Sequence, residues 1–313
     1  MSGLMSDYVN IVEVGPRDGL QNEKNAISLA DKILLVNQLS NTGLKHIEAG
    51  SFVSPRWVPQ MADSAAVFKG IQRSNNVIYS ALTPNLKGFE AALEANADQV
   101  AIFAAVSESF SQKNINCSIA ESIERFKPVI ESAQNNNLKV RAYLSCILGC
   151  PYEGSIKPVQ VIKITEQLLA LGCYEVSLGD TIGIGTPYKT KALLSDMLIE
   201  FNPAQLALHF HDTYGQALAN QYVALDLGLR TFDSSIAGLG GCPYATGASG
   251  NVATEDFVYM LENSGLKTGI DLNKLITAGQ IVCKALSRIN NSKVSNALGP
   301  ITLVNTDTLQ GLI

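Results

Sequence analysis

Short apolar runs alternate along the chain with longer segments in which apolar positions recur every three or four residues. The runs cover residues 8–14, 45–49, 77–82, 99–104, 139–144, 174–178, 205–211 and 231–236. Amphipathic helical patterns lie between them, among them 28–39, 118–134, 159–170, 189–200 and 216–227. Strands alternating with helices predict an α/β fold with a parallel sheet, and eight strands predict a closed (β/α)8 TIM barrel. An open doubly wound sheet is the competing architecture. It would favour G-x-G-x-x-G after the first strand, and that segment instead reads GPRDGLQNE. No linker or low-complexity tract divides the chain, so one catalytic barrel domain is expected over 1–313. Two or three further helices are expected after Gly250, through about Asn290, as a C-terminal extension with a tail from about residue 265. Residues 296–313 show no clear period and are expected to be loose.

Composition narrows the possibilities. Hydrophobic residues make up 46% and charged residues 16% of the 313 positions, which suits a chain that buries a large core. The net charge is −5 and no Lys/Arg run stands out, which argues against nucleic acid as a partner. Among six cysteines only Cys146 and Cys150 are close in sequence, and no second pair gives them zinc-finger spacing. Free thiols are expected. The start, MSGLMSDYVN, has neither arginine nor an apolar core, and the ending Gly-Leu-Ile is not a peroxisomal address. A cytoplasmic protein is the expectation. No apolar stretch of about 20 residues suggests a membrane span.

Barrel chemistry sits at the C-terminal ends of the strands, and polar groups concentrate there. The first strand ends in Gly-Pro-Arg17-Asp18-Gly, where Pro16 and Gly19 force a turn. A surface ion pair on a plain turn would look the same. The seventh strand carries His209 and His211, two residues apart and hence on one face. Paired imidazoles at a strand end make half of a divalent-metal site. The third histidine, His46, is read as structural. Asp18 is the best anionic candidate to complete the site, and Asn251 a neutral one. Such an oxygen-rich set suits Mg²⁺ or Mn²⁺ better than zinc. Glu48 and Asp180 follow the second and sixth strands and could act as bases or hold them, although either could simply cap a helix. After the eighth strand, the glycine-rich segment 238–251 centres on Cys242. A thiol there is placed for proton transfer on a closing loop, or it fills a small apolar gap.

Long segments then carry a resemblance. VEVGPRDGLQNE at 12–23, LHFHDTYGQALAN at 208–220 and GLGGCPYATGASGNVATEDFVYM at 238–260 resemble the 3-hydroxy-3-methylglutaryl-CoA lyase family. SFVSPRWVPQM at 51–61 and SCILGCPYEG at 145–154 add to it. The resemblance implies a divalent-metal-dependent retro-Claisen cleavage to acetoacetate and acetyl-CoA, in leucine catabolism and ketone-body formation. It implies metal ligation by Asp18, His209, His211 and Asn251, catalysis by Cys242, and substrate binding by Arg17. Glu48, Asp180, Tyr143 and Thr181 would line the acyl site, with His209 or Asp180 as the base or part of a relay to it. A homodimer is implied too. The tail 300–313 has no recognised counterpart, and no cysteine follows Cys283 to form a terminal thiol switch. Rival readings are a lyase for a related 3-hydroxy-3-carboxyalkyl-CoA, a condensing enzyme of the isopropylmalate or homocitrate synthase type, and a catalytically dead scaffold. Condensing enzymes typically resemble Thr-Leu-Arg-Asp-Gly-Glu-Gln at the first strand, and this chain reads Val-Gly-Pro-Arg-Asp-Gly-Leu-Gln.

Overall fold

A computed structural model describes residues 7–241 and 250–299. Strands β1 (Asn10–Glu13), β2 (His46–Ser51), β3 (Ile78–Leu82), β4 (Gln99–Ala105), β5 (Lys139–Ser145), β6 (Glu175–Asp180), β7 (Leu206–Phe210) and β8 (Thr231–Ser234) pair in parallel, in chain order. β8 closes on β1 to complete the expected barrel. The apolar runs place every strand within two residues at each end.

Helices α1 (Leu29–Ser40), α2 (Ser64–Gly70), α3 (Leu86–Glu94), α4 (Glu108–Ile115), α5 (Ile119–Asn135), α6 (Pro158–Ala170), α7 (Pro187–Glu200) and α8 (Ala217–Asp226) fill the crossovers. Their starts follow from local chemistry. Ser118 and Glu121 form a capping box on α5. Pro158 and Pro187 open α6 and α7, where a missing N–H costs nothing. After β8 come α9 (Thr254–Asn263), α10 (Leu272–Ala285) and α11 (Lys293–Leu298). The last of these gives residues 296–298 a helical place where loose chain is expected, while residues 300–313 lie outside the described residues. Asp256 accepts from Ser292 Oγ and from the N–H groups of Lys293 and Val294, which starts a helix that periodicity alone did not reveal.

The apolar core lies between the barrel wall and the helices, with Phe232 of β8 against Phe257 of α9 at a 5.1 Å ring separation. The interior of the barrel is different. Arg141 on β5 is buried and donates to Glu175 on β6 at 2.6 Å and to Asp233 on β8 at 2.7 Å. His46 bonds Ser80 at 2.8 Å, which bears out its structural reading. Burying such charges costs several kcal/mol per ion unless each is paired, and these are paired. A cavity of about 230 Å³ opens at the N-terminal end, lined in part by Tyr8, Lys45, His46 and Glu175. The acid and histidine cluster described next is at the opposite end, where barrel chemistry resides.

Candidate active site

The chain leaves β1 through a wide helical turn, Gly15–Gly19, which tucks Arg17 over the barrel mouth. Arg17 is only 5% exposed. Its Nε donates to Glu48 Oε2 at 2.5 Å and its Nη1 to Asp18 Oδ1 at 2.8 Å. Its guanidinium stands 5.2 Å from the centre of the Tyr143 ring, and Arg141 lies at the same distance from that ring. The bland reading of Arg17 and Asp18 as a surface turn therefore fails, because the pair is fixed in the interior by a carboxylate from β2. Burial pushes the Glu48 carboxyl up from the usual range, and the Arg17 charge opposes that shift. Glu48 Oε1 is buried with no hydrogen-bond partner among the described residues.

His209 and His211 share the inner face of β7 as its alternation requires, with ring centres 5.4 Å apart. Asp18, His209 and His211 each offer a donor atom within 4.8 Å of the others. Asn251 pairs with His211 across the strand end, and its Nδ2 donates to Asp18 Oδ2 at 2.8 Å. Burial alone would raise the Asp18 carboxyl, but Arg17 and the two histidines outweigh it and hold the group at about 2. Burial and the neighbouring His209 push His211 down to about 4. The set is thus one carboxylate beside imidazoles, and His211 Nδ1 is buried without a partner among the described residues. A divalent cation fits these donors in type and spacing, and it would satisfy an orphaned nitrogen.

The glycine-rich segment closes on itself at its described ends. A Cβ on Gly250 would stand 2.4 Å from the Gly240 backbone, and one on Gly240 (φ +121°) 2.9 Å from Asn251 Nδ2. Only glycine allows that approach, which keeps Asn251 beside Asp18. Cys242 lies outside the described residues.

One sequence expectation needs correction. Asp180 does not face the mouth. Gly179 is in register with His209 on the inner face, so Asp180 points outward. It is fully buried, and its carboxylate accepts from Ile184 N at 3.2 Å and Gly185 N at 2.7 Å. It ties down the β6–α7 loop. Thr181 Oγ1 accepts from the Cys146 N–H at 2.8 Å.

The residue sequence reasoning missed is Asp233. It accepts from Arg141, from Ser177 Oγ at 2.7 Å and from His209 Nδ1 at 3.1 Å. Burial would raise its carboxyl, but Arg141 and His209 hold it well below the usual range. Two more buried acids, Glu13 and Glu255, bind the backbone of the turn that follows β8. Glu13 accepts from Ile236 N at 2.8 Å, and Glu255 from Ala237 N at 2.9 Å.

Comparison with known proteins agrees with this geometry. A family profile described as HMGL-like matches residues 8–282. A mitochondrial hydroxymethylglutaryl-CoA lyase of Macaca fascicularis is 60% identical over 289 residues, covering 92% of this chain and 89% of that protein. A 3-hydroxy-3-isohexenylglutaryl-CoA/hydroxy-methylglutaryl-CoA lyase of Pseudomonas aeruginosa is 58% identical, covering 93% and 97%. The solved structure of an HMG-CoA lyase from Acinetobacter baumannii, in complex with coenzyme A and 3-methylmalate, superposes with a TM-score of 0.90 at 39% identity, covering 97% and 99%.

Proposed function

This chain belongs to the HMGL-like family, and we propose on that premise a division of labour among its active-site residues. The chain is a carbon–carbon lyase that cleaves 3-hydroxy-3-methylglutaryl-CoA into acetoacetate and acetyl-CoA. The observation that carries the site reading is the convergence of Arg17, Asp18, His209 and His211 at the C-terminal mouth of the barrel.

Asp18, His209 and His211 would hold the cation, with Asn251 as a neutral fourth donor, and Mg²⁺ or Mn²⁺ suits that set. When bound, it supplies Lewis acidity that makes an alcohol easier to ionise. A histidine nitrogen committed to a cation has no lone pair for a proton, so His209 serves here as ligand and not as base. Glu48 takes the proton of the C3 hydroxyl. Its Oε1 has no hydrogen-bond partner among the described residues, and burial raises its affinity for a proton. The C2–C3 bond then breaks, its electron pair passes to C2 as the thioester enolate, and C3 becomes the ketone of acetoacetate. Arg17, fixed by Glu48 and Asp18, meets the negative charge on the thioester oxygen. Cys242 returns a proton to C2, which completes acetyl-CoA. Assembly as a homodimer is part of the proposal.

Incubation of the metal-loaded protein with 3-hydroxy-3-methylglutaryl-CoA should release acetoacetate and acetyl-CoA in equal amounts. Because one relative is named for an isohexenyl substrate as well, that homologue belongs in the same assay. Condensation of acetyl-CoA with a 2-oxoacid, without cleavage of either substrate, would overturn the lyase reading.

A further inference from the structure

Asp233 touches His209 from the side away from Asp18. Its side chain is fully buried at the end of β8. Oδ1 accepts from Arg141 Nη2 at 2.7 Å, and Oδ2 from Ser177 Oγ at 2.7 Å. The remaining neighbour of Oδ2 is His209 Nδ1, at 3.1 Å. We propose that Asp233 is a positioning residue which locks His209 as the Nδ1–H tautomer, so that Nε2 presents its lone pair to the metal. The proposal rests on the metal-site reading above.

A guanidinium can only donate, and a carboxylate paired with it can only accept. Nδ1 must therefore carry the hydrogen in its bond to Oδ2. A neutral imidazole with hydrogen on Nδ1 has its lone pair on Nε2. Nε2 lies 3.8 Å from Asp18 Oδ2, too far for a hydrogen bond. Those two acceptors face each other across the space where an ion would sit. Asp233 is itself fixed, because Arg141 is anchored at 2.6 Å to Glu175. The chain Glu175–Arg141–Asp233–His209 draws on four strands and crosses the barrel interior. A carboxylate behind a metal-binding histidine fixes ring orientation and raises its basicity as a ligand. His211 lacks this backing, since its Nδ1 has no hydrogen-bond partner among the described residues.

The chain has three histidines, so ¹⁵N-histidine labelling gives a readable two-bond ¹H–¹⁵N spectrum of the intact protein. In the wild type, His209 should show hydrogen on Nδ1, with chelator and with Mg²⁺ alike. In Asp233→Asn, the amide can donate to Nδ1, so the tautomer should shift toward Nε2–H. The Kd for Mn²⁺, read by electron paramagnetic resonance, should rise about 10–100-fold. A merely structural Asp233 would lower thermal stability and leave the tautomer and the Kd unchanged, which would overturn the proposal. If the variant does not fold, the wild-type spectrum decides alone, since hydrogen on Nε2 of His209 refutes the assignment. A wild type with the Nδ1–H tautomer that binds no Mn²⁺ would overturn the metal-site reading and this proposal with it.

Discussion

Arg17 and Glu48 meet Nε to Oε2 at 2.5 Å, with both side chains buried. A planar fork held in one orientation suits a charge that appears only during the reaction. Lysine at position 17 keeps the charge but loses the fork. Arg17→Lys should therefore lower kcat by about 10²–10³-fold, with a smaller rise in KM. Steady-state kinetics separate the two, and a normal kcat with a raised KM would assign Arg17 to ground-state binding.

Glu48→Gln keeps the shape and an oxygen for Arg17 but cannot take a proton. It should fold, bind metal with little change, and lose roughly 10²–10⁴-fold in kcat. Glu48→Ala leaves Arg17 without its main buried partner and should cost about 3–5 kcal/mol of stability. Denaturant unfolding beside kinetics distinguishes the roles. A Gln variant within a few-fold of wild-type turnover would remove Glu48 as base.

Cys117, Cys146, Cys150, Cys173 and Cys283 are all buried. Burial also pushes the Cys173 thiol to about 12 and the Cys283 thiol to about 11. Alkylation should therefore inactivate the protein through Cys242, and substrate should slow it. Cys242→Ser should fold and bind metal normally yet lose most of its kcat, whereas Cys283→Ser should stay within a few-fold. Peptide mapping of the alkylated protein identifies the site, and loss of activity tracking any other cysteine would contradict the assignment.

Stability should fall as pH rises from about 6.5 to 8. Burial raises Glu13 to about 7 and Glu255 to about 8, so in this window the folded chain holds protons that the unfolded chain has released. Each acid contributes a slope of at most about 1.4 kcal/mol per pH unit. Their contribution is complete below the ordinary carboxylate range and disappears as pH passes the folded values. His46, pushed down to about 3 by burial and Arg141, acts in the opposite sense below about 6.5. Glu255→Gln should flatten the decline between pH 6.5 and 8. Tm against pH for both proteins is the check, and identical slopes would contradict it.

The barrel was legible because each strand is a dense apolar run bounded by turn residues, and eight such runs leave few parallel topologies. The His209/His211 face was legible from strand alternation alone. The same rule applied to β5, β6 and β8 would have found the rest. Arg141 and Tyr143, Glu175 and Ser177, and Thr231 and Asp233 each sit two apart on the inner face, and Asp180 falls on the outer one. Polar residues at alternate positions of a buried strand were the available signal. Which carboxylate each would meet depends on contacts across the barrel, such as Arg141 reaching from β5 to β8, and no local pattern encodes those.

The Asp18–His209–His211 cluster is tested most directly by titrating the metal-free protein with Mn²⁺ while following bound metal and acetoacetate release in one sample. Activity should be absent under chelation and should rise with the same Kd as one bound ion per chain. His211→Ala should shift both curves together to higher Mn²⁺. Undiminished cleavage with no metal detectable, or a His211→Ala protein whose two curves match the wild type, would contradict the placement of the chemistry at this site.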